Sequence, residues 1–261
     1  MAVRVGLVQL DCSTSESVAQ RILRTLTLLE RTASSCDVMV LPELWHVGAF
    51  DIDMAREHAQ PLDCRLVDSL ATVARAHGIW LHGGSFAERT DDGDVFNTSI
   101  LFAPNGELVA TYRKIHLFGF DGGETVLMSG GDELVVVDTP LGPTGLATCY
   151  DLRFPEMFRA LTEGGATAVL MSSGWPATRI EHWDVLTRAR AIENQCWFIA
   201  CNEVGEQHGL PMGGHSVVVD PRGAVIAQAG ADPEVVLAEI DPEEPARWRE
   251  QFPTLKDIRL R

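Results

Sequence analysis

The chain has 261 residues, 46% of them hydrophobic, which is enough to bury a sizeable core. Its formal net charge of −16 argues against nucleic acid or an anionic membrane surface as a partner, because both select basic patches. No apolar run approaches the length of a membrane span, and the start of the chain lacks a basic stretch ahead of an apolar one. We therefore expect neither a membrane segment nor a secretory signal.

The first part of the chain alternates predicted strands and helices. Val3 to Leu10 is typical of a strand, and Ser13-Thr14-Ser15-Glu16 matches a capping box with Ser13 as the N-cap residue. The apolar run from Val38 to Leu41 favours a strand that is buried on both faces. The helix predicted after the capping box carries apolar residues at helical spacing, namely Val18, Ile22, Leu26 and Leu29.

Two similar hairpins lie further along the chain. Ala103-Pro104-Asn105-Gly106 and Asp220-Pro221-Arg222-Gly223 share the spacing of Pro and Gly that a type I turn prefers, and each follows a short apolar strand. This weak repeat suggests two sheets of similar build that face each other. Helices are predicted from Pro155 to Glu163 and from about Ile180 to Asn194. No low-complexity linker interrupts the chain, so we expect one domain over residues 1–261 with helices outside two packed sheets.

Three polar residues follow apolar, strand-like runs: Glu43, Lys114 and Cys149. Strand ends on one edge of a sheet can converge on a single pocket, where a base, a cation and a thiol would make an activated nucleophile. Lys114 is notable because the only other lysine in the sequence is Lys256. Arginine cannot replace lysine as a compact point charge, although chance placement of Lys114 is the plainer explanation.

Cys149 is predicted to lie on a tight turn between a strand and a helix, as in a nucleophile elbow. With Lys114 nearby, we expect the pKa of its thiol to be lowered towards the thiolate. The alternative for a free cysteine is a small buried hydrophobic residue. We assign that role to the other five cysteines, which show no zinc-ribbon or redox spacing and fit a reducing cytoplasm: Cys12, Cys36, Cys64, Cys196 and Cys201.

Residues around Lys114 extend the candidate site. Lys114 and His116 alternate along a predicted strand, so both are expected on one face of it. Lys114 could pair with Glu43 and hydrogen-bond an oxyanion. His116 either supports that site or is a hydrogen-bonded core residue. Glu124, in a glycine-rich loop, could fold back over the same edge.

These segments resemble the nitrilase superfamily of carbon–nitrogen hydrolases over essentially the whole chain. The resemblance is carried by three segments that occur in the family's order: Leu41-Pro42-Glu43-Leu44, Tyr112-Arg113-Lys114-Ile115-His116-Leu117-Phe118 and Cys149-Tyr150-Asp151-Leu152-Arg153-Phe154-Pro155-Glu156. It implies an α/β fold, specifically a four-layer αββα sandwich, and usually a dimer of such units. It also implies that Arg153 and Glu156 pair beside the nucleophile turn.

The resemblance further implies a Glu–Lys–Cys triad in which Glu43 is the base and Cys149 the nucleophile. Lys114 and the backbone N–H of Tyr150 would form the oxyanion hole, and a second family glutamate maps to Glu124. The nucleophile would attack an amide carbonyl and pass through a thioester. Neither a metal nor an organic cofactor is needed, and the partner would be a small-molecule amide.

The segments from Ser173 to Arg179 and from Arg188 to Gln195 are similar to the branch that contains ω-amidases, which hydrolyse 2-oxo dicarboxylic acid monoamides such as 2-oxoglutaramate. Arg179 could bind the distal carboxylate of such a substrate, or be a surface arginine. Trp175, Phe118 and Trp45 could line the pocket, although aromatic residues at strand ends are more often core.

Other activities remain open from the residues alone. A nitrilase, an N-carbamoyl hydrolase and a non-catalytic binding or scaffold protein on the same fold are the alternatives, and filled triad positions count against the last. A serine hydrolase finds little support, because Gly83-Gly84-Ser85-Phe86-Ala87 misses the final glycine of the elbow motif. No dinucleotide-binding glycine motif follows the first strand.

Overall fold

A computed structural model describes residues 1–119 and 122–259 of the chain. Its strands, numbered in chain order, are β1 (Val3–Gln9), β2 (Val38–Val40), β3 (Trp80–Arg89), β4 (Val95–Phe102), β5 (Leu108–Arg113), β6 (Val136–Thr139), β7 (Gly142–Thr148), β8 (Ala168–Ser172), β9 (Trp197–Cys201), β10 (Glu206–Gln207), β11 (Leu210–Pro211), β12 (Val217–Val219), β13 (Val225–Gln228) and β14 (Glu234–Ile240). The α-helices are α1 (Val18–Thr32), α2 (Ile52–Glu57), α3 (Arg65–His77), α4 (Pro155–Glu163), α5 (Ile180–Asn194) and α6 (Glu244–Gln251).

The strands form two mixed six-stranded sheets of matching design. The first has the order β14-β1-β2-β3-β4-β5 and the second the order β13-β12-β9-β8-β7-β6, while β10 and β11 pair separately. In each sheet three central strands are parallel, β1-β2-β3 in one and β7-β8-β9 in the other, and the flanking pairs are antiparallel. Glu43 follows the parallel strand β2 of the first sheet and Cys149 follows the parallel strand β7 of the second, whereas Lys114 follows β5, which pairs antiparallel with β4.

The two sheets pack face to face over a shared apolar core. Because successive side chains of a strand point to opposite faces, Val5 and Val40 of the first sheet reach the core cluster that also contains Leu146 and Leu170 of the second. Polar contacts cross the same interface near the strand ends. The hydroxyl oxygens of Ser99 and Thr148, for example, lie 2.9 Å apart.

Helices cover the outer face of each sheet. On the first sheet, Val8 and Met39 point away from the inter-sheet core and pack with Leu29 of α1 and Leu70 of α3. On the second sheet, α4 and α5 take the corresponding place, and the ring of Phe158 packs on that of Phe198 in β9. The predicted four-layer αββα sandwich is confirmed, and so is the β2 strand that is buried on both faces. Within the described ranges, no helix is long and apolar enough to cross a membrane.

The predicted capping box is displaced by one helical turn. The N-cap of α1 is Ser17, which forms a capping box with Gln20 rather than Ser13 with Glu16. The earlier serine is engaged elsewhere, because its hydroxyl donates to Asp11. Glu16 is held by Arg24 through an ion pair of 2.7 Å. These local hydrogen bonds compete with helix initiation and move it to the next suitable cap.

The strand predicted through Lys114 and His116 ends earlier, at Arg113 of β5. Beyond it the chain bends, so the alternation expected for a strand does not apply. Lys114 turns into the interior and is 1% exposed, whereas His116 is half-buried and faces the turn after β7. The expectation that both side chains share one face of a strand was therefore wrong.

Candidate active site

Cys149 lies on a strained turn at the end of β7. It begins a 3-10 helix from Cys149 to Arg153, and its φ of +45° is in the left-handed region, which is unusual for a residue other than glycine. A backbone in this conformation lifts the side chain out of the strand line, as a nucleophile elbow requires. The thiol lies at the wall of a pocket, with Sγ 3.8 Å from the carbonyl oxygen of Gly174.

A buried carboxylate, Asp151, holds this turn in place. Its Oδ2 accepts hydrogen bonds from the backbone N–H of Thr148 at 2.8 Å and the hydroxyl of Tyr112 at 2.7 Å. Its Oδ1 accepts from the backbone N–H and the Nδ1–H of His116 at 3.1 and 2.8 Å. The His116 ring also stacks on Phe154, with centroids 3.7 Å apart. His116 therefore connects the nucleophile turn to the segment after β5, which is support of the site rather than the role of a core residue, since its side chain is 27% exposed.

Glu43 follows β2 and Pro42 and is 2% exposed, with both carboxylate oxygens occupied. Its Oε1 accepts from Nζ of Lys114 at 2.7 Å and from the side-chain amide of Asn97 at 2.8 Å. Its Oε2 accepts from the backbone N–H of Gly174 at 2.8 Å. A carboxylate that accepts hydrogen bonds from three donors is fixed in orientation, and Glu43 is thereby held at the pocket wall.

Lys114 lies between two carboxylates. Its Nζ donates to Glu124 as well as to Glu43, each at 2.7 Å. Glu124 is itself buried and also accepts from Asn97 at 2.6 Å and from the backbone N–H of Phe118 at 2.7 Å. The structure thus brings together all four candidate residues, Glu43, Lys114, Cys149 and Glu124, at one pocket.

Asn97 was not predicted as a site residue. It lies within β4, and its amide bridges the two carboxylates on either side of Lys114. The available signal was the polar triplet Asn97-Thr98-Ser99 inside an otherwise strand-like run, because a buried amide needs partners of matching polarity.

The charges at this centre are coupled. Burial disfavours the charged form of Lys114, but the carboxylates of Glu124 and Glu43 outweigh that effect and raise the pKa of Lys114 well above its usual range. Burial and the charge of Glu43 raise the pKa of Glu124, and the nearby ammonium only partly offsets this. The lysine therefore remains an ammonium across the neutral range.

The thiol behaves differently from the prediction. Burial, followed by the charge of Glu43, raises the pKa of Cys149 well above that of a free cysteine, even though Lys114 acts in the opposite direction. The expected thiolate was therefore wrong for the resting site. A buried thiol beside a carboxylate stays protonated until the base accepts its proton during attack.

The same pocket is also lined by aromatic rings and two guanidinium groups. Trp175, Phe118 and Arg179 line it as predicted, together with Tyr150 and Arg153. The Arg179 guanidinium carbon lies 5.3 Å from the centre of the Phe118 ring, and that of Arg153 lies 4.6 Å from a ring centre of Trp175. Neither arginine forms an ion pair with a carboxylate among the described residues.

Two expectations about this region are corrected. Arg153 does not pair with Glu156 but points into the pocket, where it also contacts His182 at 3.3 Å. Trp45 does not line the pocket, because it is fully buried in the core of the first sheet and its indole N–H donates to the carbonyl of Gly83 at 2.9 Å. Burial and the charge of Arg179 lower the pKa of Arg153.

The fold and site define a hydrolase of carbon–nitrogen bonds, and comparison with known proteins agrees. Residues 4–250 match the family model described as carbon-nitrogen hydrolase, and the chain belongs to this family. The predicted membership of the nitrilase superfamily is confirmed.

Relatives from several organisms match almost the whole chain. The 2-oxoglutaramate amidase of Paenarthrobacter nicotinovorans is 41% identical over 98% of this chain and 89% of that protein. The 2-oxoglutaramate amidase of Bacillus subtilis is 37% identical over 98% of this chain and 97% of that protein. Among solved structures, Saccharomyces cerevisiae Nit3, a member of branch 10 of the nitrilase superfamily, aligns with a TM-score of 0.90 and 32% identity, covering 99% of this chain and 97% of that chain.

Proposed function

We propose that the protein is an ω-amidase that hydrolyses the terminal amide of a 2-oxo dicarboxylic acid monoamide such as 2-oxoglutaramate. The observation that carries this proposal is one pocket lined both by a buried Glu–Lys–Cys group and by two arginines that have no carboxylate partner among the described residues. The names of the two bacterial relatives support the same substrate class.

In the first half of the reaction, Glu43 accepts the proton of the Cys149 thiol while the sulfur attacks the amide carbonyl carbon. The oxygen becomes an oxyanion, which the ammonium of Lys114 and the backbone N–H of Tyr150 stabilise. The tetrahedral intermediate collapses when Glu43 returns the proton to the leaving nitrogen, and ammonia departs. The product of this half is a thioester on Cys149.

In the second half, Glu43 accepts a proton from a water molecule as the water oxygen attacks the thioester carbonyl. The same oxyanion donors act again, and the carbon–sulfur bond breaks as the proton returns to Cys149. Glu124 does not exchange protons in this scheme. It positions Lys114 from the side opposite to Glu43, where their contact of 2.7 Å keeps the ammonium fixed.

The carboxylate end of the substrate is assigned to Arg153 and Arg179. A guanidinium binds a carboxylate through two parallel hydrogen bonds, and the low polarity of the rings of Trp175 and Phe118 strengthens that contact. An amide without this carboxylate would leave two neighbouring cations without a counterion.

Replacing Arg179 by Met is expected to raise KM for 2-oxoglutaramate by about 10- to 100-fold, the value of one charge-assisted hydrogen-bonding contact, while kcat changes less. The same change should have little effect on a neutral aliphatic amide. Arg56→Met, which removes an exposed arginine paired with Asp53, is the matched control. Steady-state kinetics would contradict the assignment if Arg179→Met raised KM equally for 2-oxoglutaramate and for the neutral amide.

Ammonia release from a panel of substrates tests the activity itself. The panel contains 2-oxoglutaramate, glutamine, a short aliphatic amide, a nitrile and an N-carbamoyl compound. Preferential release from 2-oxoglutaramate supports the proposal, whereas preference for the nitrile or the carbamoyl compound would replace it with one of those activities. A binding protein on the same fold would be favoured if none of the compounds released ammonia and none of them protected Cys149 from an added alkylating reagent.

We further propose that the chain forms a homodimer through the outer face of α5 and β13. Apolar side chains are exposed there: Val185 is 66% and Ile192 49% exposed on α5, next to Val225 on β13. Replacing Val185 and Ile192 with Glu is expected to reduce the mass measured by light scattering from about twice 28.5 kDa to that of one chain. Leu23→Glu, at an exposed position on α1, should leave the mass unchanged.

The cytoplasm is the proposed compartment. All six cysteines are unpaired and buried, which suits a reducing environment in which thiols persist.

A further inference from the structure

A further buried carboxyl group, which the proposed mechanism does not use, lies beside the pocket residue Gly174. Glu203 follows β9 by two residues and is fully buried. Its Oε2 has no hydrogen-bond partner among the described residues. Burying an isolated carboxylate costs folding free energy, so a buried carboxyl group of this kind is either protonated or retained because it has a function.

Glu203 is connected to the substrate pocket through one side-chain amide. Its Oε1 accepts from Nε2 of Gln207 at 2.7 Å, and Oε1 of Gln207 accepts from the backbone N–H of Phe50 at 2.9 Å. Gln207 is itself fully buried. Phe50 and its neighbour Ala49 line the pocket, and the Phe50 ring packs edge-on against Phe118 at 5.6 Å. The carboxyl group therefore supports one wall of the pocket.

Glu203 also abuts the backbone that holds the proposed base. A Cβ atom at Gly174 would lie 2.6 Å from Oε1 of Glu203 and would overlap Ala49. Gly174 is the residue whose N–H donates to Glu43 and whose carbonyl lies beside the Cys149 sulfur. Only glycine fits between these groups, so Glu203 and Ala49 lie directly against the residue whose N–H donates to the base.

The surroundings favour the neutral form of Glu203. Burial is the main cause that raises its pKa to about 8, with the charge of Glu43 adding to it. The Cys12 thiol, the hydrogen bond from Gln207 and the charge of Arg21 act in the opposite direction. These groups come from the segments after β1 and β2, from α1 and from β10, and Arg21 is the single cation among them.

We propose that Glu203 is a positioning residue for the amide hydrolysis, an inference that rests on the proposed function. As a neutral carboxyl group, Glu203 holds Gly174 against Glu43 and, through Gln207, holds Phe50 at the pocket wall. When Glu203 loses its proton, a second negative charge faces Glu43 across Gly174. That charge repels the carboxylate of the base and the charge that develops on the sulfur and the oxyanion, so turnover falls.

The pH dependence of kcat/KM for succinamate tests this proposal. Succinamate is chosen because it is a monoamide without an oxo group, so its amide cannot cyclise onto one. The wild type is expected to lose about tenfold between about pH 7 and pH 9, as a single ionisation near 8 requires, whereas Glu203→Gln loses less than about twofold. Glu206→Gln, at an exposed position nearby, should keep the wild-type profile. Gln207→Leu should raise KM by about tenfold with a smaller change in kcat, because Phe50 loses its hydrogen bond.

Thermal unfolding gives a readout that needs no turnover. A carboxyl whose folded pKa is raised stabilises the fold below its unfolded pKa, and that contribution is lost as the pH rises through about 8. The melting temperature of the wild type should therefore fall relative to Glu203→Gln between about pH 5 and pH 8. A constant difference over this range, or the same alkaline loss of activity in Glu203→Gln, would overturn the proposal. Failure of the wild type to release ammonia at any pH would instead overturn the proposed function, and the unfolding data would still decide the ionisation of Glu203.

Discussion

Cys149→Ala is expected to lower kcat for ammonia release from 2-oxoglutaramate by at least about 10⁴-fold, because no other described residue that lines the pocket carries a thiol to form the thioester. The loss should leave the fold intact, since the change removes one buried sulfur and keeps the backbone turn that Asp151 holds. Circular dichroism and the melting temperature check the second part of the expectation.

The control for this variant is Cys196→Ala. Cys196 is also buried but lies between α5 and β9, outside the pocket lining, so its removal should cost stability without abolishing turnover. Mass spectrometry of wild-type enzyme quenched in acid during turnover should find the acyl group on the peptide that contains Cys149. Turnover by Cys149→Ala close to that of the wild type, or an acyl group on another cysteine, would contradict the assignment of the nucleophile.

Lys114→Met is expected to affect both activity and stability. Activity should fall by at least about 10³-fold, because the oxyanion loses its charged donor. The free energy of unfolding should fall by about 3–5 kcal/mol, since Glu43 and Glu124 are left buried without their shared cation, and the melting temperature by about 10 °C. Lys114→Arg is not expected to restore activity, because a planar guanidinium does not fit a site built for one point charge between two carboxylates.

The stability loss in Lys114→Met should depend on pH in a defined direction. Without the ammonium, burial and mutual repulsion raise the folded-state pKa of the two carboxyl groups above their unfolded values. Protonation then stabilises the variant in acid, and this contribution is lost as the pH rises, so the difference from the wild type should be larger at about pH 8 than at about pH 5. The other lysine in the sequence provides the control. Lys256→Met, at an exposed position, should change neither the activity nor the free energy of unfolding. A difference in melting temperature that shrank with rising pH would contradict the buried ion-pair network.

Much of the fold could be predicted from local patterns. The apolar run at Val38 to Val40, the Pro-x-Gly turns of the two hairpins and the bounds of α4 and α5 follow from periodicity, turn chemistry and the preference of proline for the first helical turn. The displaced capping box shows the limit of this reasoning. Several serines near a helix start offer similar caps, and contacts of Asp11 and Arg24 from outside the motif decide between them.

Within the site, sequence alone identified the residues that follow strands: Glu43, Lys114 and Cys149. Their position after apolar runs is a local property. Glu43 and Lys114 follow strands of the first sheet and Cys149 follows a strand of the second, so their meeting at one pocket depends on how the two sheets pack. Glu124 could be placed near them because its glycine-rich loop follows Lys114 closely. That Lys114 hydrogen-bonds both Glu43 and Glu124 at 2.7 Å, that Asn97 bridges the two carboxylates, and that Cys149 lines the same pocket are visible only in three dimensions.

Tertiary structure alone decided the properties that depend on burial and on contacts between distant segments. Contacts between residues far apart in the chain place Arg153 at the pocket and Trp45 in the core, and bring Glu203 next to Gly174. The protonated state of Cys149 belongs to the same class. A residue's neighbours along the chain specify its chemical type and its strand or helix, whereas desolvation and charge coupling are set by whatever the folded chain packs around it.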